Sequence, residues 1–154
     1  MKKHLVLISS IFCFNLLLGT AMRKFKQNKL WRDNAVEMME QNHGSKIHWR
    51  QLNDTEFDEQ IRIKLLEEAH EVATAKDRKE LIGELADLYE VIDSIAGLHT
   101  ISKEEIIDTQ TKKRQERGGF SGRKFVDIAE HPAGSFGEKY CLADPEKYPE
   151  IDNV

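Results

Sequence analysis

Cysteine, proline and an excess of positive charge are what this chain lacks. Its two cysteines, Cys13 and Cys141, cannot build a disulfide scaffold, and three prolines with nine glycines in 154 residues exclude a collagen-like or low-complexity chain. Basic residues number 23 against 27 acidic ones. A large basic field of the kind that coats nucleic acid is therefore missing, and no nucleic-acid partner is expected. Long apolar runs are missing too, except at the start. There Leu5 to Leu18 covers 14 residues, broken by Ser9, Ser10 and Asn15, where a bilayer crossing takes about 20. No stable membrane insertion is expected.

Residues 1–21 read either as a signal-peptide-like leader, with Lys2 and Lys3, an apolar stretch and a small-x-small close at Gly19 and Ala21, or as sequence upstream of a true start at Met22. Arg23, Lys24, Lys26, Lys29 and Arg32 all precede the first acid, Asp33, and such charge tends to stay on the cytoplasmic side. That favours a cytoplasmic protein beginning near Met22 over export through a signal peptide. Residues 22–130 read as one domain. Residues 131–154, with Pro132, Gly134, Gly137, Pro145 and Pro149, read as an irregular tail.

Within the domain the pattern is helical, and the expected fold class is all-α. A first helix is expected over residues 33–42, with Val36, Met38 and Met39 on its apolar side and Gly44 ending it. Asn53, Asp54 and Thr55 followed by Glu56 offer N-cap chemistry for a second helix, and Asp77 with Glu80 and Ser102 with Glu105 are capping-box patterns for a third and a fourth. The second helix carries Phe57, Ile61, Leu65, Ala69 and Val72 at helical spacing. The third carries Leu81, Leu85, Leu88, Val91, Ile92 and Ile95 and stops at Gly97, and the fourth stops at Gly118-Gly119. Residues 47–52 read as an extended piece and residues 125–128 as a short strand.

Two segments of these helices carry the chemistry. KLLEEAHEV places Glu68 and Glu71 three apart, and GELADLYEV does the same for Glu84 and Asp87, so each pair shares a helix face. In a regular antiparallel hairpin turning near Lys76 and Asp77, Glu71 faces Glu84 and Glu68 faces Asp87. Solvated acids on a charged helix are the ordinary reading of such residues. Here Glu68 falls between Leu65 and Val72, and Glu84 between Leu81 and Leu88, so both interrupt the apolar stripe. Four carboxylates turned toward a core are destabilised by desolvation and mutual repulsion unless something neutralises them. A divalent cation does so, and an all-oxygen donor set favours Mg2+ or Mn2+ over zinc.

Glu67-Glu68-x-x-Glu71 followed, after twelve residues, by Glu84-x-x-Asp87 resembles the signature of the all-α nucleoside triphosphate pyrophosphohydrolases, the superfamily of MazG and phosphoribosyl-ATP pyrophosphohydrolase. Asn28-Lys29-Leu30-Trp31-Arg32-Asp33 resembles the NKLVRD opening of small members, and Lys113-Arg114-Gln115-Glu116-Arg117-Gly118-Gly119-Phe120 their KRxERGGF close. The resemblance covers about residues 28–128. It implies Mg2+-dependent cleavage of a nucleoside triphosphate between the α and β phosphates, giving a monophosphate and pyrophosphate in nucleotide-pool housekeeping. It matches Glu68, Glu71, Glu84 and Asp87 to the metal ligands, and implies a helical bundle built on the hairpin and completed as a homodimer or homotetramer. Where histidine-biosynthesis members resemble ADLLYH, this chain has Ala86-Asp87-Leu88-Tyr89-Glu90. Phosphoribosyl-ATP is thus the alternative substrate.

Glu67 reads as a further ligand, as the base that orients water together with Glu68, or as a surface acid. Triphosphate charge calls for cations, and Lys29, Arg32, Lys113, Arg114 and Arg117 are the candidates; the last three equally suit a helix C-terminus. Trp31 or Trp49 is a candidate for stacking on a base, or a packing residue. Glu67-x-x-His70 is formally a di-iron motif, but such sites need two, and Glu84-x-x-Asp87 on the facing helix supplies no second histidine. His43, His48, His99 and His131 show no ligand spacing and read as surface or loop residues. A reading from another class makes the hairpin a non-enzymatic, metal-binding oligomerisation module.

Overall fold

The computed structural model describes residues 22–151, so residues 1–21, read as a leader or as sequence upstream of the start, lie outside the described residues. The chain divides into two compact units, Met1–His99 and Thr100–Val154. The first holds α1 (Ala35–His43), α2 (Asp54–Thr74) and α3 (Arg78–Leu98); the second holds α4 (Lys103–Arg117) and α5 (Phe136–Leu142). The architecture is all-α. Residues 47–52 and 125–128 are irregular, and no strand occurs among the described residues. An extended segment without a partner ladder leaves its backbone to water, and neither piece has such a partner.

Local chemistry sets the helix ends. Glu56 donates its backbone N–H to Asn53 Oδ1 at 3.0 Å while Asn53 N–H reaches Glu56 Oε2 at 3.2 Å, a complete capping box. Asp77 Oδ1 accepts the N–H groups of Lys79 and Glu80, at 2.7 and 2.9 Å. Ser102 and Glu105 repeat the box at α4. α1 starts two residues later than its composition suggests, because Asn34 supplies no side-chain cap. It ends where Gly44 takes a φ of 63°, a left-handed conformation that suits glycine.

α2 and α3 run side by side in opposite directions. Residues 75–77 connect them at one end, and at the other His99 Nε2 lies 2.9 Å from Asp58 Oδ1 and 3.1 Å from Arg62 Nη2. His99, expected as a bystander, thus ties the open end of the pair. Ile61, Val91 and Ala96 are the buried apolar residues, with Phe57, Leu65, Val72, Leu88, Ile92 and Ile95 half-buried around them. Ala69, Leu81 and Leu85 are exposed although they belong to the sequence stripe, and Met38 is exposed beside half-buried Val36 and Met39. One helix packed on one other covers only a single narrow stripe of each.

In the second unit, the tail expected to be irregular contains α5. Ser135 accepts the N–H of Glu138, Phe136 stacks on Tyr140 with ring centroids 6.0 Å apart, and Tyr148 meets Tyr140 at a tilt with centroids 5.5 Å apart. Gly137 lies against the His131 ring, where a Cβ would fall 2.2 Å from Nδ1, so any larger residue there displaces that ring.

Replacing Asn53 by Ala removes one half of the α2 capping box. The expected loss is about 1 kcal/mol of unfolding free energy, read from the urea midpoint at unchanged slope. An unaltered midpoint counts against the cap as the start of α2.

Candidate metal centre

Helical spacing brings the acids together as two groups that share one member. Glu67, Glu68 and Glu71 of α2 form the first, and Glu68 with Glu84 and Asp87 of α3 the second; within each, one oxygen per residue lies within 4.8 Å of the others. Glu68 is the hinge of both. It is only 3% exposed, the one buried charged residue of the described core, and sits seven residues after buried Ile61 on the same helix face.

Basic side chains surround the cluster. Lys29 Nζ donates to Glu67 Oε1 at 2.8 Å, Arg32 pairs with Asp87 and stands 3.9 Å from Glu90, and Lys64 Nζ lies 3.0 Å from Glu67 Oε1 and 2.5 Å from Glu68 Oε1. Lys64 and Glu90 were not singled out by sequence reasoning. The signal for Lys64 was present, since it precedes Glu67 and Glu68 by three and four residues and so shares their face. These groups border a cleft of about 280 Å3, which Trp31, Leu30 and Ala35 also line.

Charge states follow from these neighbours. The Lys29 hydrogen bond, against the effect of burial and aided by Lys64, holds the Glu67 carboxyl below the usual glutamate range. Burial pulls the Lys64 ammonium down, yet hydrogen bonds to Glu68 and Glu67 outweigh it and keep its pKa above the ordinary lysine value. Glu71 shifts the other way. Desolvation, then a hydrogen bond that protonated Glu71 donates to the Glu68 carboxylate, then the field of Glu68, Glu84 and Glu67 push its carboxyl upward.

The donor set fits a hard divalent cation. All the grouped ligand atoms are carboxylate oxygens. Glu68 Oε2 is buried without a hydrogen-bond partner while Oε1 takes Lys64, so one oxygen at the centre of both groups is left unsatisfied. His70 is exposed and outside both groups. Trp49 is exposed and lies outside the cleft lining, whereas Trp31 is half-buried within it. Lys113, Arg114 and Arg117 stand exposed on the last turns of α4 in the second unit, where the Arg114 guanidinium lies over Gly119. The first unit therefore draws its own positive charge from Lys29, Arg32 and Lys64. Compared with known proteins, the chain matches no family model, no curated protein and no solved structure. The arrangement of its own side chains carries the functional argument.

A raised carboxyl pKa in the folded state means that ionised Glu71 weakens the fold at pH above that pKa and not below the ordinary glutamate range, where it is protonated folded and unfolded alike. Glu71→Gln is thus expected to raise the melting temperature of EDTA-treated protein at pH 8 by a few degrees. The difference from the unsubstituted protein should fade at pH 4. A variant less stable than its parent at pH 8 contradicts like-charge crowding at this site.

Proposed function

We propose that the first unit is the catalytic part of a Mg2+-dependent nucleoside triphosphate pyrophosphohydrolase, which cleaves between the α and β phosphates. The observation that carries this is the cleft itself: Glu67, Glu68, Glu71 and Asp87, one of them with a buried unsatisfied oxygen, line it together with Lys29, Arg32 and Trp31, and Glu84 completes the acid cluster. Acids alone suggest a cation site and bases alone an anion site. Both together, within one cleft, suit an anion carried with its cation, as a nucleotide polyphosphate is.

Glu68, Glu71, Glu84 and Asp87 hold the cation, for which Mn2+ is a substitute. Bound Mg2+ would offset phosphate charge and lower the pKa of an attacking water. Lys29 and Arg32 leave their carboxylate partners for phosphate oxygens. Glu67, once relieved of Lys29, orients the water and accepts its proton, with Glu68 beside it. Trp31 stacks on the base. Phosphoribosyl-ATP is the alternative substrate of the same chemistry. Where nucleoside triphosphates and Mg2+ coexist is the cytosol, and we place the activity there.

We further infer self-association into a dimer or tetramer. Ile63, Leu66, Ile82 and Tyr89 on α2 and α3 are each more than half exposed, and apolar side chains in that density on a two-helix layer call for a covering partner. This also supports the second reading, a metal-binding oligomerisation module without turnover.

Pyrophosphate release from a panel of ordinary, deoxy and damaged nucleoside triphosphates, with phosphoribosyl-ATP included, tests the proposal. Glu68→Gln and Asp87→Asn should each lower the rate at least about a hundredfold, and EDTA should abolish it, while helical content by circular dichroism stays. Full activity in either variant or in EDTA sinks the assignment. Oligomerisation without turnover of any nucleotide favours the module.

A further inference from the structure

Among the cations at the acid cluster, Lys64 differs in kind. Lys29 and Arg32 come from the segment before α1 and are 43% and 59% exposed at the side chain, whereas Lys64 is 21% exposed and rises from α2 itself, one turn before the acids it meets. It touches the two adjacent glutamates at once, and its partner Glu68 has a side chain only 4% exposed. Its single charge reaches Oε1 of Glu68 and leaves Oε2 unpartnered. The cluster is thus neutralised in part, by a group that cannot satisfy it.

We propose that Lys64 is a tethered counter-ion of the acid cluster, holding Glu67 and Glu68 together in the metal-free protein and displaced from Glu68 when a divalent cation binds. This rests on the metal reading of the cluster and adds to it a residue that sets metal affinity. The ammonium and the incoming ion compete for one buried carboxylate, and the two positive charges repel at short range. A hydrogen-bonded pair on that carboxylate strengthens the metal-free fold and weakens metal binding by the same linkage. Glu67 keeps Lys29 at 2.8 Å when Lys64 withdraws, so displacement strands neither acid. A lysine suits the part, since its ammonium is a compact charge on four rotatable carbons that leaves without moving the helix.

The test is Mn2+ binding without nucleotide, followed by the electron paramagnetic resonance of free ion, for the full chain and for Lys64→Met, Lys64→Arg and Glu68→Gln. Expected is roughly tenfold tighter binding for Lys64→Met, within the usual range of coupling between two sites, together with a lower melting temperature in EDTA. Lys64→Arg keeps the charge and should stay within about twofold of the parent. Should Lys64→Met not fold, the unsubstituted protein still decides. The Lys64 ammonium resonance, protected from solvent exchange in EDTA, should lose that protection when Mg2+ is added. Mn2+ binding that Glu68→Gln removes but Lys64→Met leaves equal or weaker, or protection unchanged by Mg2+, overturns the counter-ion role and spares the metal site. No difference between the parent and Glu68→Gln in Mn2+ binding overturns both.

Discussion

Glu68 occupies a place that helical geometry reserves for an apolar side chain, and the first unit is arranged around that substitution. Residues 61, 65, 68 and 72 follow one stripe of α2, with Ile61 buried and Leu65 and Val72 half-buried, yet the most buried residue of the stripe is the carboxylate. Removing an ionised carboxyl from water costs several kcal/mol unless it is paired. Its partners are therefore not incidental. Lys64 arrives from the same helix, Glu84 and Asp87 arrive from α3, and Lys29 and Arg32 close over the acids from the segment before α1. Packing α2 on α3 gathers negative charge faster than the neighbouring cations offset it, and Glu71, pushed toward its neutral form, registers the surplus.

Placing that surplus at the centre of the helix pair leaves little apolar material to hold the pair together. Among the described residues only Ile61, Val91 and Ala96 are buried apolar ones, while Leu66, Ile82 and Tyr89 are exposed. Two helices with so narrow a shared stripe resemble one half of a bundle. The caps at Asn53 and Asp77 and the His99–Asp58 contact at the open end fix both ends of the pair, but none of them adds buried apolar area. A charged centre and a thin core act in the same direction. Both leave the helix pair weakly held by its own apolar contacts.

Much of this was legible in the residues. Asn53, Asp77 and Ser102 announced three helices to within a residue, because a capping side chain acts on its own backbone and needs no tertiary context. Glu68 betrayed itself by interrupting a stripe. What was not legible depended on relations that spacing does not encode. Lys64 looked like any lysine on a helix, since i,i+4 pairs with glutamate are common on solvated faces and only the depth of Glu68 makes this one matter. α5 was hidden by the glycines and prolines around it, although Ser135 and Glu138 stand in the capping relation used elsewhere. Residues 125–128 have strand composition and nothing to pair with. His99 gained its role from Asp58, 41 residues away.

Glu67 is the acid whose role spacing leaves open between ligand, base and surface acid. Its Oε1 takes both Lys29 and Lys64, and those bonds hold its pKa below the usual glutamate range. A carboxylate so placed is a counter-ion and a weak base. Under the proposed reaction the same contacts make it conditional. Phosphate oxygens that draw Lys29 away, and a cation that displaces Lys64, together remove the two positive charges that suppress its basicity. Glu67 then regains a proton affinity nearer that of an ordinary glutamate only when both nucleotide and metal are in the cleft. Water in the cleft without substrate meets a carboxylate already engaged by two ammonium groups, so the base is withheld until the bond to be cleaved is in place.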